Sequence, residues 1–376
     1  MINLFLHNLK INNNMINKIN VFVCLLCFGS IVKGNLKDGK VSCRDESGSE
    51  VDWYYLYKLP KHYQNEPTDT SGLRYLYITS NNQDNWQFSS RFINESTSFP
   101  GRTLEAFATD PEVLLIAYND EFPNNTVVFD HGHTKGVVAT DGKTAIWLIH
   151  SVPKFPSIPT YEYPKSGEHY GQSFLCLTLP DSEMHKIGQQ LIFNEPNIYY
   201  TRVPAALKGK YPELDVAIEG KWKTKPPYHN IVDLMTSGKN NFKSFAKSVK
   251  YGLELYEDFV APTLDVNLLV EGWRNGPGNL GSNCSANDKV YNILYIKNQN
   301  FDVSFKTTND HSKWAVSEAT GLKIWRWRIG GADWICVGDI NRQEHQSVRG
   351  GGTVCQKNAS VVKLYRELAN ELEPCS

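Results

Sequence analysis

A mixed α/β fold built from two similar halves is what this sequence predicts, on three observations. Short β-type runs outnumber helical stretches along the chain. The length, 376 residues, exceeds the usual size of a single domain. One small pattern, histidine-hydroxyl-lysine, occurs twice, at His133-Thr134-Lys135 and at His311-Ser312-Lys313. The copies are separated by about half of the chain that follows a leader ending near Gly34, the spacing an internal duplication gives.

The chain opens with Lys10 and Lys18 ahead of an apolar stretch from Val21 to Val32, followed by Gly34. That stretch is too short to span a bilayer comfortably, so residues 1–34 read as a secretory signal, for which Met15 would make a more ordinary start than Met1. No later segment is long and apolar enough to be transmembrane. The expected division is 35–200 for a first half carrying one motif, 201–234 for a connecting region, and 235–376 for a second half carrying the other.

Behind the signal six cysteines remain: Cys43, Cys176, Cys284, Cys336, Cys355 and Cys375. An even count in an oxidising compartment predicts three disulfides, which six cysteines can form in fifteen ways. Their spacings match no zinc motif, so no metal site is expected. Sequons at Asn94, Asn124, Asn283 and Asn358 predict glycosylation along the same route.

Strands are expected from Val51 to Tyr57, Leu114 to Tyr118, Gly136 to Ala139, Ala145 to Ile149 and Ser173 to Leu179. Apolar spacing predicts helices over Ser182 to Gln190, Asn241 to Val249 and Ser360 to Leu372. The polar, Lys- and Pro-rich stretch from Pro204 to His229 reads as the join between the halves.

The formal net charge of −1 excludes a broad basic field, so an anionic polymer would have to be gripped by cations gathered locally. At lower pH the 10 His and some of the 40 Asp and Glu take up protons, which favours such a partner.

The repeated motif supplies those cations. In a strand, residues i and i+2 face the same way, so each copy aims an imidazole and an ammonium in one direction. An imidazole attacks phosphorus or protonates a leaving oxygen, and an ammonium neutralises charge on the other phosphate oxygens. Two copies provide both a nucleophile and a general acid, with no evident need for a metal.

Neighbouring segments add candidates. Asp141-Gly142 between two β runs predicts a two-residue hairpin. With Thr140 paired to Lys143, His150 falls opposite His133 and Leu148 opposite Lys135, which makes His150 a candidate to hold the His133 tautomer. Downstream, Gly338-Asp339-Ile340-Asn341 ends a strand run and offers Asp339 and Asn341 to a site mouth, and Arg349 with Gly350-Gly351-Gly352 offers backbone N–H groups to phosphate.

Taken together these strings resemble the deoxyribonuclease II family. The likeness rests on Val51-Asp-Trp with Tyr57-Lys-Leu-Pro60, Tyr118-Asn-Asp120, Gly132-His-Thr-Lys-Gly136, Trp147-Leu-Ile-His-Ser-Val-Pro153 with Phe155-Pro156, Tyr170-Gly-Gln172, Phe242-Lys-Ser-Phe-Ala-Lys247, Asp310-His-Ser-Lys-Trp314, Cys336-Val-Gly-Asp-Ile-Asn-Arg342 and Arg349-Gly-Gly-Gly-Thr353. They span nearly the whole mature chain in order.

The resemblance implies a phospholipase D-like duplicated sandwich, two pseudo-symmetric α/β halves whose His-x-Lys motifs meet in one site. It implies an acid endonuclease acting on DNA without divalent metal or other cofactor and leaving 3′-phosphate ends. His133 would become a phosphohistidine and His311 would be the general acid, roles that can be exchanged, with Lys135 and Lys313 holding the phosphate. The hairpin register and the strand end add His150 and Asn341 as supporting candidates. The resemblance also implies disulfides Cys43–Cys176, Cys284–Cys375 and Cys336–Cys355, and a lysosomal or extracellular destination; monomer and homodimer both stay open.

The chain departs from the pattern in three places. Ala315 stands where some relatives carry a cysteine. The segment from Ser317 to Asp333 is long, with Lys323, Trp325, Arg326, Trp327 and Arg328 interleaved; a surface hairpin with its tryptophans packed underneath is the first reading, and stacking of bases with a grip on phosphate the second. The phospholipase-type Asp five residues past each Lys is absent, with Glu318 there in the second motif. A secreted effector that keeps the fold with weak or no catalysis is the second reading, and two intact motifs argue against it. A lipid or nucleotide phosphodiesterase ranks third.

Overall fold

Alternation along an aromatic strand organises the first half. In β3 (Trp53–Lys58) every residue is buried. Trp53, Tyr55 and Tyr57 enter one apolar core, while Tyr54 and Leu56 enter another on the opposite face. A strand covered on both faces has no polar side to present, hence the continuous apolar run. The computed structural model describes residues 40–63, 71–319 and 332–375, all within the unit Lys37–Ser376. The segment 1–34, read as a signal, and the cluster of Lys323, Trp325, Arg326, Trp327 and Arg328 lie outside the described residues.

After a short ribbon of β1 (Cys43–Arg44) and β2 (Glu50–Val51), β3 joins β4 (Tyr75–Thr79), β5 (Asn82–Phe88), β6 (Leu114–Tyr118), β7 (Gly136–Thr140), β8 (Thr144–His150), β9 (Gln172–Pro180) and β10 (Ile198–Arg202). They form an eight-stranded sheet in the order β10-β6-β7-β8-β9-β3-β4-β5. A second sheet holds β11 (His229–Met235), β12 (Asn241–Lys247), β13 (Leu268–Glu271), β14 (Val290–Asn298), β15 (Val303–Lys306), β16 (Trp314–Ser317), β17 (Trp334–Gly338) and β18 (Gly351–Lys357). Its order is β11-β12-β18-β17-β16-β13-β14-β15, with β19 (Ala369–Leu372) also against β14.

The fold is mixed α/β, with sheets dominating a few short helices. Side chains from both sheets meet in one core, where Tyr55, Trp147 and Leu177 of the first join Trp314, Val337 and Val354 of the second. Helix α1 (Phe99–Glu105) covers the outer face of the first sheet. Helices α2 (Met184–Asn194), α3 (Pro212–Ile218) and α5 (Ala359–Leu368) contribute to the shared core, and α4 (Ala261–Leu264) covers the outer face of the second sheet. Among the described residues no helix is long and apolar enough to cross a membrane.

Several expectations are corrected. Asn241 to Val249 is not a helix but the strand β12, ending at Lys247. Phe242 enters the shared core and Phe245 the outer one. Spacing of three puts side chains together on a helix but on opposite faces of a strand, and a sheet covered on both sides rewards the second. The helix expected over Ser360 to Leu372 stops at Leu368, and its last residues become β19 on the edge of β14. The join from Pro204 to His229 contains α3, packed on α2 so closely that a Cβ at Gly188 would lie 2.6 Å from the Leu214 nitrogen.

The β7–β8 hairpin also differs from expectation. Thr140 pairs with Ala145, not Lys143, because the Asp141 carboxylate accepts the Lys143 and Thr144 N–H groups at 2.9 Å each and closes a longer loop. The ladder shifts by two residues: the His150 N–H donates to the Lys135 carbonyl at 3.3 Å, and His133 lies beyond the paired strand.

Disulfides join Cys43 to Cys176, Cys284 to Cys375 and Cys336 to Cys355. Of the sequon asparagines, Asn94 and Asn124 are exposed. Asn358 is half-buried, capping α5 through Val361 N–H (3.2 Å) and donating to Gln83 (2.8 Å).

Candidate active site

Each His-x-Lys motif leads directly into a buried strand, β7 or β16, and each histidine is held by residues from the other sheet. His133 donates its backbone N–H to the Gly350 carbonyl at 2.9 Å, and its Nδ1 lies 2.5 Å from the Asp339 carbonyl. His311 donates its backbone N–H to the Gly171 carbonyl at 2.9 Å, and its Nδ1 lies 3.0 Å from the Ser151 carbonyl and 3.3 Å from Gln172 Oε1. A carbonyl oxygen only accepts, so both Nδ1 atoms carry hydrogen. Nε2 is then the working nitrogen of each ring, free to attack or, once protonated, to donate.

The surroundings of the two motifs differ. Around the first, the Asp120 carboxylate takes a hydrogen bond from the Lys135 ammonium and lies 3.7 Å from His133 Nε2 and 3.6 Å from Arg349. Arg349 also donates to the carbonyls of His131 and Gly132, at 3.1 Å each. Around the second, the Lys313 ammonium donates to the His311 carbonyl at 2.6 Å. The adjacent acid, Asp310, accepts from Ser312 N–H (2.9 Å), from the Ser312 hydroxyl (2.8 Å) and from the Tyr57 hydroxyl. Asp310 therefore shapes the backbone turn, and it acts on Lys313 through charge alone, with no hydrogen bond between them.

Burial sets the proton affinities. His133 is held well below its usual range by burial, then by Lys135, Arg349 and Lys313. His311 is lowered by burial, then by Lys313, Lys135 and His133. Each histidine thus feels the other motif's lysine, which makes the two motifs one electrostatic site. Burial, then Lys135, holds the Lys313 ammonium well below the usual lysine range. Burial raises the Asp339 carboxyl to about 6. Two imidazoles beside the cations Lys135, Lys313 and Arg349 suit a phosphodiester, whose charge the cations oppose while the rings exchange protons. Among the described residues no group of three or more His, Cys, Asp or Glu is arranged to hold a metal ion.

The Deoxyribonuclease II family profile matches residues 42–375. The chain belongs to the deoxyribonuclease II family. It is 35% identical to Deoxyribonuclease-2-alpha of Mus musculus over 347 residues, covering 89% of this chain and 94% of that protein. It is 35% identical to Plancitoxin-1 of Acanthaster planci, covering 94% and 98%. With Deoxyribonuclease-2 of Caenorhabditis elegans it shares 33% identity, covering 88% and 93%.

In this member of the deoxyribonuclease II family His133, Lys135, His311 and Lys313 share one electrostatic site, whereas His150 does not face His133. It stands opposite Lys135 with its ring against Phe155 and Phe174, and its Nδ1 accepts from Val152 N–H at 3.2 Å. Burial, then Lys135, lowers its imidazole to about 3. Asn341 supports the second motif indirectly: its Oδ1 accepts the Trp273 N–H at 3.1 Å, and the Trp273 ring meets the His311 ring edge-on at 5.0 Å.

The glycine triplet is used for internal fit. Gly351 has φ +145°, and a Cβ on Gly352 would lie 2.0 Å from the Phe245 carbonyl oxygen. The Gly352 N–H is taken by the Asp339 carboxylate at 2.9 Å, which removes it from any phosphate cradle.

Asp120 was present in the sequence only as part of a string, without a role. No spacing rule links it to Lys135, because β6 and β7 bring them together. Its neighbour Asn119 anchors the turn by donating to the carbonyls of Val152 (3.0 Å) and Phe155 (2.9 Å).

Proposed function

We propose that this chain hydrolyses DNA phosphodiester bonds as an acid endonuclease, without divalent metal, through a phosphohistidine and with 3′-phosphate ends. The reading rests chiefly on two histidines with carbonyl-fixed Nδ1 atoms, each free at Nε2, beside Lys135, Lys313 and Arg349. In the first step His133 Nε2 attacks phosphorus, and the bond to the 5′ oxygen breaks as His311 Nε2–H protonates that oxygen. In the second, neutral His311 takes a proton from water, whose oxygen displaces His133 and leaves a 3′-phosphate. The lysines and Arg349 neutralise charge on the non-bridging oxygens, the electrostatic task a metal performs in other nucleases.

The pH preference follows from the depressed imidazoles. A lowered histidine stays neutral at neutral pH, so the acid is missing there. As pH falls His311 is charged, helped by the bound phosphate, and the rate rises until His133 is protonated as well. A bell with its maximum on the acid side is expected.

The two sheets support the reading of a duplicated, phospholipase D-like fold. The path β6-β7-β8-β9-β3 in one corresponds to β13-β16-β17-β18-β12 in the other. Each motif precedes the second strand of its path, and α2 or α5 follows the fourth. The same reading takes 35–200 and 235–376 as the halves, the four sequons as glycosylated, and a lysosome or the cell exterior as destination.

The test is plasmid digestion near pH 5 with EDTA, comparing wild type with His311→Ala. Cleavage by the wild type alone is expected. Loss of wild-type cleavage on adding EDTA overturns the metal-free mechanism, and an active His311→Ala removes His311 from the chemistry.

A further inference from the structure

Two lysines outside the reacting set are as deeply buried as anything in the core. Lys58 and Lys247 are both 0% exposed. Each is the last residue of its strand, β3 or β12, and those strands occupy corresponding places in the two sheets. Their ammonium groups are bonded to backbone carbonyls, not to carboxylates. Lys58 donates to the carbonyls of Glu168 (2.9 Å) and Tyr170. Lys247 donates to those of Gln346 (2.9 Å), Ser347 (2.8 Å) and Arg349 (2.7 Å).

The register is the same in both halves. Tyr170 is followed by Gly171, whose carbonyl receives the His311 N–H; Arg349 is followed by Gly350, whose carbonyl receives the His133 N–H. The next residues, Gln172 and Gly351, are the ladder partners of Lys58 and Lys247. An ammonium buried at such cost is worth keeping only if the groups it fixes must not move. Burial pushes Lys58 down to about 7 against the opposing pull of Asp310 and Glu168. It pushes Lys247 down to about 8 against Glu254, Asp339 and Glu195, with Arg349 adding to the lowering. Both are therefore charged in acid, where the proposed reaction runs.

We infer that Lys58 and Lys247 are a matched pair of positioning residues, each fixing in one half the glycine carbonyl that seats the histidine of the other half. Lys58 acts on His311 and Lys247 on His133. This rests on the reading of those histidines as the reacting pair.

The experiment uses the full chain with Lys58→Met and Lys247→Met, and Lys58→Gln and Lys247→Gln where methionine does not fold. Thermal midpoint, kcat and KM on DNA are measured, and the histidine ring protons are titrated by NMR. The expected result is a fall in kcat of about 10–100-fold, as misplacement by about 1 Å produces, with KM changed less than about threefold. The titrations should cross: Lys58→Met moves His311 and leaves His133, while Lys247→Met does the reverse. A thymidine 3′-(4-nitrophenyl phosphate) substrate, whose leaving group needs no proton, should restore one variant and not the other.

Unmoved titrations, uncrossed titrations, or a kcat loss that only tracks the folded fraction overturns the inference. Active His133→Ala and His311→Ala proteins would instead fault the catalytic reading, and the crossed titrations would still decide the lysines.

Discussion

The two His-x-Lys motifs share a plan and differ in charge. Lys135 is neutralised in place by Asp120, which also faces His133 and Arg349. Lys313 is bonded to the carbonyl of its own motif's histidine, and its nearest acid in sequence, Asp310, is occupied by Ser312 and Tyr57. One half thus holds its counter-ion in a direct ion pair, while in the other Asp310 and Glu271 act on Lys313 without a hydrogen bond to it. On the proposed reading, a phosphate adds most at the motif whose lysine has no direct ion pair, the second, while the first is a prebuilt ion network around the proposed nucleophile.

Several variants break or sharpen that contrast. Replacing either histidine by alanine should cut kcat by on the order of 10²–10⁴-fold, and a markedly smaller loss at one of them in DNA-cleavage kinetics would end the two-histidine account. Lys313→Met should lower kcat by about 10²–10³-fold with little change in thermal midpoint. Lys135→Met should in addition destabilise the fold by about 3–5 kcal/mol in denaturant titration, because it strands Asp120. Equal destabilisation by the two lysine variants would erase the asymmetry.

Asp120→Asn removes a carboxylate 3.7 Å from His133 Nε2 that also holds up the His311 imidazole, so both rings should be harder to protonate. The acid limb of the pH–rate profile, which marks protonation of the nucleophile, should move down by about one pH unit, and a limb that stays put or rises would detach Asp120 from His133. The smallest effect is expected from His150→Leu. Its ring packs in an apolar layer and is neutral in the working range, so kcat should stay within about threefold and the change should appear in unfolding instead. A large kcat loss in a fully folded His150→Leu protein would reinstate it in the chemistry.

Legibility followed range. The strands Leu114–Tyr118 and Gly136–Thr140, the second expected only to Ala139, are legible because short apolar runs with β-branched residues favour strand locally. Asn241–Lys247 misled because its Phe242 and Phe245 fit a helix until both faces of the strand are known to be covered. The hairpin register was lost to one side chain, Asp141, which lengthens the loop. Asp120 stands in a family-like string that assigns it no role, and Trp273 carries no local signal.

The sequence by itself determined the proposed reacting groups: two copies of His-x-Lys at half-chain spacing, in a chain with matched cysteines and almost no net charge. Tertiary structure alone decided how those groups are held. The carbonyls of Gly350 and Asp339 seat His133 from the other sheet, and those of Gly171 and Ser151 seat His311 in return. A main-chain carbonyl is the same in every residue, so a sequence cannot say which one will face a histidine. Only the packing of the two sheets brings it there.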